Sequence, residues 1–457
     1  EFRRVLFRSV INVQNMKILA ILAAAIVVVA GASAVVLLNN DDDDKGYYSS
    51  NSDCRLQVLG NADKNDYLDD NDVTKIKEMI SSNTYDQMAD ANNDGKVDET
   101  DLDLVQKMID LKKSNSGKAN SEKESMTVKY ITVNNDIRDA VYPVNKLIVV
   151  NTQRVLDICM GIGISDRVVA TNDYANQYAT NIDSQYMYKA FASLPSVGDR
   201  KTPDLESIAK SDADAIYAGS EKYYLTNVDS GATSYAGKTI LRLASWENGG
   251  YANGALMIAF FTDADEGAEK FVRWMDSVES KVGSELSKVS DKSSTSFLNV
   301  SSATYFGAQA DGVATTLTKI GATNIGNAII TNTSKVGGSV TTYAEDINKH
   351  ADMDLIIYTP YMYLNYSDEQ VKEKYNTFYS SLSTGKISAL DAVKNQDIVM
   401  INYELPFCLV YAIAAKILFP DIDVDVDGMI KEYIDDYTDV EGYTYNPNHF
   451  YYVPGSA

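Results

Sequence analysis

Residues 263–289 read DADEGAEKFVRWMDSVESKVGSELSKV. Apolar side chains recur at Ala268, Phe271, Val272, Met275, Val278, Val282, Leu286 and Val289, the three-and-four spacing that lines one face of a helix. Thr262 or Asp263 stands where an N-cap belongs, and Glu266 and Glu269 complement the positive end of the helix dipole. Such a helix would run about 40 Å, longer than a small domain needs. Segments of similar length, each alternating strand-like and helix-like pieces, flank it on both sides. Residues 263–290 are therefore read as a strut between an N-lobe over 126–262 and a C-lobe with its tail over 291–457.

Strands are expected at 127–133, 138–142, 146–150, 168–171 and 215–218 before the strut, and at 296–300, 355–358 and 398–402 after it. Helices are expected at 154–160, 203–210, 313–320 and 409–418. This alternation implies parallel sheets with helices on their faces. The fold class is α/β: two doubly wound lobes joined by one long helix. The Gly161-Ile162-Gly163 run follows a helix rather than a strand, so it reads as a helix end and turn, not a phosphate loop.

Open α/β sheets bind ligands at the carboxyl ends of their strands. In this chain those ends carry Tyr174, Tyr178, Tyr305, Tyr361 and Tyr403, which offer flat faces and hydroxyls. Arg154, Arg200 and Arg242 suit an anionic group, and Trp246 precedes a glycine-rich turn where it can line a cleft.

The 457 residues carry a formal charge of −23, so nothing neutralises phosphates and nucleic acid is excluded as a partner. Cys54, Cys159 and Cys408 are odd in number and far apart, which implies no disulfide framework. No G-x-S-x-G elbow occurs, and the two histidines, His350 and His449, sit in polar segments. The chain reads as a non-enzyme.

At the amino end, residues 1–15 look like a non-native leader. Residues 16–38 are an apolar run that serves equally as a cleaved signal peptide or a membrane anchor, and 39–53 form a polar spacer. Both readings of the apolar run export the protein.

Residues 54–113 contain a duplicated oxygen-rich loop, each copy followed by an amphipathic helix. The first offers Asn61, Asp63, Asn65, Tyr67 (by its carbonyl), Asp69 and Asp72; the second offers Asp90, Asn92, Asp94, Lys96 (by its carbonyl), Asp98 and Asp101. Oxygens at loop positions 1, 3, 5, 7, 9 and 12 are what a Ca²⁺ shell needs, so two Ca²⁺ ions are expected. Gly95 suits the sharp turn at position 6. Asp66 holds that place in the first loop, where aspartate tolerates the left-handed conformation. The second loop, with more carboxylates, is expected to bind more tightly. Residues 114–125 (SNSGKANSEKES) read as a flexible linker.

The paired loops resemble a dockerin, the calcium-dependent module that plugs into a cohesin on another protein. That resemblance implies a cohesin-bearing partner and a cell-surface setting. Residues 132–172 (TVNNDIRDAVYPVNKLIVVNTQRVLDICMGIGISDRVVATN) and 194–220 (LPSVGDRKTPDLESIAKSDADAIYAGS) resemble the N-lobe of the helix-linked solute-binding proteins. These are receptors of ABC importers for ferric siderophores, haem and cobalamin. C-lobe echoes are TLTKIGATNI (316–325), SVTTYAEDINKHADMDLIIYTP (339–360) and AVKNQDIVMIN (392–402). The resemblance implies an extracytoplasmic receptor for a metal chelate or corrinoid, membrane-anchored or secreted, working with an ABC permease. It also implies that Glu206 and Glu345, one per lobe, dock on that permease. The rival is a surface adhesin or scaffold component whose α/β part recognises a polymer or protein.

Overall fold

The computed structural model describes residues 54–181, 187–246 and 250–455. The leader, apolar segment and spacer expected over 1–53 lie outside the described residues. Among those described, no helix is long and apolar enough to cross a membrane.

The N-lobe is a five-stranded sheet in the order Val168–Thr171, Leu147–Val150, Ala215–Ala218, Lys238–Arg242, Ser234–Tyr235. The first four strands run parallel, with Ile148 beside Ala170 and Ile216, and Ile216 beside Ile240. Leu147–Val150 and Ala215–Ala218 are buried throughout, as parallel strands covered on both faces must be. The C-lobe sheet has seven strands. Its parallel core sets Ser296–Ser302, Leu355–Tyr358 and Ile398–Ile401 side by side, with Leu298 against Ile356 and Ile356 against Ile398. Antiparallel strands at Tyr305–Gly307, Gly337–Ser339 and Tyr451–Tyr452 extend its edges.

The strut is one unbroken helix, Asp265–Ser287, about 35 Å long. Its stripe is buried as expected from Ala268 to Leu286, and Trp274 joins it. Trp274 stacks on Phe271 and on Tyr433, with centroids 5.9 and 5.6 Å apart. The helix Val426–Tyr437, which carries Tyr433, thus packs on the strut through these rings. Gly267 lets the strut approach the end of helix Arg154–Gly161, because a Cβ there would sit 2.2 Å from the Ile162 carbonyl oxygen. Gly161 is equally constrained, by the Phe271 ring at 2.7 Å. The left-handed residue of that turn is Gly163, at φ 75°.

Capping differs from expectation. Ala264 occupies the N-cap without a side-chain bond. Thr262 ends the preceding helix, Gly250–Thr262, and bonds back to Ile258. Asp263 instead accepts hydrogen bonds from Tyr142 Oη at 2.6 Å and Lys123 Nζ at 2.7 Å. Those partners come from elements before the strut, so a tertiary tie takes the carboxylate that a local cap would have used.

The two loop–helix repeats are built alike. Helices Asp70–Ser82 and Glu99–Asn115 each start with a capping box, from Asp69 to Asp72 and from Asp98 to Asp101. The repeats share a core with the N-lobe: Val58 and Val105 pack in one cluster with Tyr130, Ile158 and Phe260. Residues 57–59 add an edge to the hairpin of Met126–Ile131 and Ile137–Tyr142, through Ile131 N to Gln57 O and Leu59 N to Lys129 O, both 2.9 Å. The stretch read as a flexible linker is pinned. Asn115 and Glu124 exchange side-chain-to-backbone bonds of 2.8 and 3.0 Å, and Lys123 pairs with Asp263.

Candidate functional site

The carboxyl ends of the N-lobe and C-lobe strands meet in a seam. Arg154, at the start of helix Arg154–Gly161, is buried and crosses it. Its guanidinium donates to the backbone carbonyls of Tyr403 and Leu405 in the C-lobe and to Tyr251 Oη at 3.3 Å. It also lies over the Tyr403 and Phe407 rings, 4.4 and 4.6 Å from their centroids. Beside it Tyr251 donates to Asp157 at 2.9 Å, and Glu404 is buried from the C-lobe side. Burial pushes the Asp157 carboxyl up to about 7, although Arg154 opposes it. Burial and the neighbouring Asp157 push Glu404 well above the carboxylate range.

Partnerless buried polar atoms gather at this seam. Asn151 Nδ2, Thr152 Oγ1, Gln153 Oε1, Arg154 Nε, Asp157 Oδ1 and Glu404 Oε1 have no protein partner. Buried polar groups are normally satisfied, so a concentration of exceptions marks a place where something else is accommodated.

A folded-state pKa of about 7 against an ordinary value near 3.8 means that the unfolded chain gives up this proton first. Stability attributable to Asp157 is therefore fully present below about pH 4 and is lost as pH rises toward 7. Asp157→Asn is expected to flatten that stretch of the stability–pH curve, raising stability at pH 8 relative to wild type by a few kcal/mol. Urea unfolding at pH 5 and pH 8 checks this, and an unchanged slope would contradict it.

Around the buried core lie the aromatic residues expected from the sequence. Tyr174 and Tyr178 sit on helix Asp173–Thr180, and Tyr361 follows strand Leu355–Tyr358. Tyr174 Oη and Tyr361 Oη are 3.4 Å apart across the seam, and the Tyr178 and Tyr361 rings are 5.4 Å apart. Tyr403 packs edge-on against Tyr361 at 5.4 Å. At these side chains the lobes touch rather than face each other across solvent. Arg200 lies over the Tyr174 ring at 4.8 Å and makes no ion pair among the described residues. Trp246 donates to Tyr224 Oη at 3.0 Å, and its carbonyl abuts Gly312 of the C-lobe. Tyr305 is half-buried near Asp311 and Tyr223.

Arg242 departs from expectation. It is fully buried inside the N-lobe and donates to the carbonyls of Gly219 and Tyr224 at 3.1 and 2.7 Å. Burial lowers its guanidinium to about 10. It props up the strand end rather than facing a ligand. Asp157 was missed; its one signal was a lone acid inside the apolar run VLDICMG (155–161). His449 is a structural clasp, with Nδ1 2.8 Å from Tyr443 Oη and Nε2 2.7 Å from the Tyr366 carbonyl.

The calcium-loop residues are arranged as a repeat. Asp72 accepts from Asp63 N and Asp69 N at 3.2 and 2.8 Å; Asp101 accepts from Asn92 N and Asp98 N at 3.1 and 2.9 Å. Asn65 Oδ1 takes Tyr67 N and Asp94 Oδ1 takes Lys96 N, which turns both position-7 residues. Asp90 accepts from Asp94 N and Gly95 N. Burial raises Asp72 to about 8 and raises Asp101 as well. Asn61 Oδ1, at position 1, is buried and has no partner. Buried carboxylates without a cation beside them and an orphaned position-1 oxygen fit a hard divalent ion. Among the described residues no three His, Cys, Asp or Glu side chains converge as a metal centre by themselves. Amide oxygens and the Tyr67 and Lys96 carbonyls would have to complete each shell. Asp66 is not left-handed; that conformation falls on Lys64 and, in the second loop, on Asn93 and Gly95. Asp66 instead pairs with Arg55.

A strut joining two α/β lobes decides the likeness to solved structures. The chain has the fold of the TroA-like periplasmic binding proteins. FepB of Veillonella parvula, described as one, matches with a TM-score of 0.54 and 15% identity over 71% of this chain and 99% of that one. CeuE of Helicobacter pylori matches at 0.51 and 16%, over 69% and 97% of the two chains. The molybdate-binding MolA of Haemophilus influenzae matches at 0.51 and 15%, over 68% and 97%. No family model matches, and no curated protein does. Glu206 and Glu345 lie in similar local settings, one in each lobe. Each is exposed in the first turn of a short helix, Leu205–Lys210 or Ala344–Asn348, that leads into a parallel strand.

Proposed function

We propose that this chain is the extracytoplasmic receptor of an ABC importer, holding an iron chelate, haem or corrinoid where the lobes meet. The observation that carries this reading is the seam itself. Arg154, Asp157 and Glu404 bring buried polar atoms without partners to the carboxyl edges of both sheets, where open α/β folds take ligands. The fold is compatible with varied cargo, since the CeuE structure is described with nickel and histidine and the MolA structure with molybdate. Native mass spectrometry of the full chain with ferric chelates, haem and corrinoids tests the reading. Retention of one of them, lost on Arg154→Ala, is expected; retention of none sinks it.

The loop–helix repeats would hold two Ca²⁺ ions and offer a dockerin-like surface to a cohesin-bearing partner. Exposed Glu206 and Glu345 would meet a permease. Substituting both by alanine should abolish import, measured as cargo uptake by whole cells, while leaving cargo affinity within about twofold, since surface charges remote from a site add little to it. Full uptake by the double variant would remove the docking role.

A further inference from the structure

The two calcium-type loops match in sequence but meet different surroundings. In the first, Asn65 and Asp66 are 6% and 9% exposed. Their counterparts in the second, Asp94 and Gly95, are open to solvent, and nothing stands within 4 Å of where a Cβ on Gly95 would sit. The difference is the neighbour. Asp66 and Tyr67 line one narrow crevice with Leu256 and Ala259 of helix Gly250–Thr262 and with Ala268 and Val272 of the strut. Arg55 fastens this tip: Nε donates to Asp66 at 3.0 Å, while Nη1 donates to both oxygens of Asp276 on the strut. Lys64 adds a pair with Asp86 at 2.7 Å, where the second loop has exposed Asn93.

Position 1 of the first loop is also set from the inside. Asn61 is fully buried, and its Nδ2 donates to Asn65 O at 2.7 Å, Leu56 O at 2.8 Å and Cys54 Sγ at 3.2 Å. Three acceptors thus hold the amide nitrogen, and Oδ1 is left without a protein partner, the donor type a hard cation takes.

We infer that the two calcium sites differ in kind: the first is locked, its ion leaving only when the loop tip lifts off the strut, and the second is open and exchanges with its surroundings. The inference rests on the calcium reading above and adds how each loop responds when calcium falls. Ligands of the first loop lie on both sides of the tip, so releasing the ion moves Asp63, Asn65 and Tyr67. That movement draws Asp66 away from Arg55 and breaks a buried ion pair. The tip therefore opens roughly a hundredfold less often than an unbraced loop. The second tip turns over without disturbing the lobe. A brief fall in calcium would empty the second loop alone, changing the exposed face around Asn93–Lys96 while the repeats stay docked on the N-lobe.

The test is stopped-flow mixing of the calcium-loaded full chain with an excess of a fluorescent calcium chelator, which reports each ion as it leaves. Two phases of equal amplitude are expected, separated by roughly a hundredfold in rate. Asp63→Asn should abolish the slow phase and Asp101→Asn the fast one. Asp276→Asn keeps an oxygen for Arg55 but drops the charge. It should speed the slow phase by roughly tenfold and leave the fast phase within about twofold. Arg55→Ala should bring the two phases close together; if that variant does not fold, Asp276→Asn makes the comparison. Two ions leaving in one fast phase overturn the inference and leave the calcium reading standing, as does a slow phase unmoved by Asp276→Asn or abolished by Asp101→Asn instead of Asp63→Asn. A loaded chain that releases no calcium removes both.

Discussion

Arg55→Ala should destabilise the chain by about 3–5 kcal/mol, the usual consequence of removing one partner from a buried ion pair. Arg55 is only 6% exposed and forks between two carboxylates. Nε and Nη2 donate to Asp66, in the first calcium-type loop, and Nη1 donates to both oxygens of Asp276, on the strut, at 2.9 and 3.0 Å. Burial, helped by the nearby Asp66 and Glu279 carboxylates, raises Asp276 to about 6 even with Arg55 beside it. Without the guanidinium, two largely desolvated carboxylates would face each other. Arg55→Lys should recover only part of the loss, because a point charge cannot engage both partners in a planar fork. Arg55→Met combined with Asp66→Asn and Asp276→Asn should come close to wild type, since no buried charge is then left alone. Equilibrium urea unfolding followed by circular dichroism measures all three. A loss under about 1 kcal/mol for Arg55→Ala, the size typical of a surface pair, would contradict this account of the brace.

That triad also shows where sequence reading stops. The strands Val168–Thr171, Ala215–Ala218 and Leu355–Tyr358 fall on their expected positions, because short apolar runs between turn signals carry their own punctuation. The strut was legible for a related reason: its polar face makes the apolar stripe visible. Helix Gly250–Thr262 was not read, since it is buried on nearly every side and interrupted by Gly254, so no periodicity survives. Tyr174 and Tyr361 each follow a strand end in the sequence, but they lie 187 residues apart, and only folding brings their oxygens together. Arg55 gave no signal. Its partners are 11 and 221 residues away, and nothing local distinguishes it from a surface arginine. The expectation for Arg242 failed in the opposite sense: its place at a strand end was right, but its side chain turns inward to bond backbone carbonyls.

The brace bears on the calcium-type repeats as well. A module on a flexible tether could unfold without consequence for its neighbour. Here Arg55 joins the first loop to the strut, Lys112 reaches Phe260 O at 2.9 Å and pairs with Asp265, and residues 57–59 extend the N-lobe hairpin. Local opening of the repeats is therefore coupled to the lobe through shared core and shared charge.

Chelation of calcium from the full chain should accordingly lower stability by about 4 kcal/mol for each site held at a thousand times its dissociation constant, with the loss reaching beyond residues 54–113. The driving term is electrostatic. Asp72, Asp90 and Asp101 are fully buried, and the unpartnered Asn61 Oδ1 adds a further acceptor. Without a cation these oxygens have only backbone N–H groups and, at Asp90, the Tyr85 hydroxyl at 3.3 Å to offset their desolvation. Calorimetry with excess Ca²⁺ and then with EGTA should show a large fall in Tm. Hydrogen exchange should show the repeats and the hairpin Met126–Ile131/Ile137–Tyr142 losing protection together, while the C-lobe sheet keeps its own. Asp101→Asn should cost more of the calcium-dependent stability than Asp72→Asn. The second loop has four carboxylates, Asp90, Asp94, Asp98 and Asp101, and the required glycine, whereas Asp66 of the first is already paired with Arg55. A melting curve indifferent to EGTA would remove the ion from the account and leave the repeats as acidic turns held by their capping boxes alone.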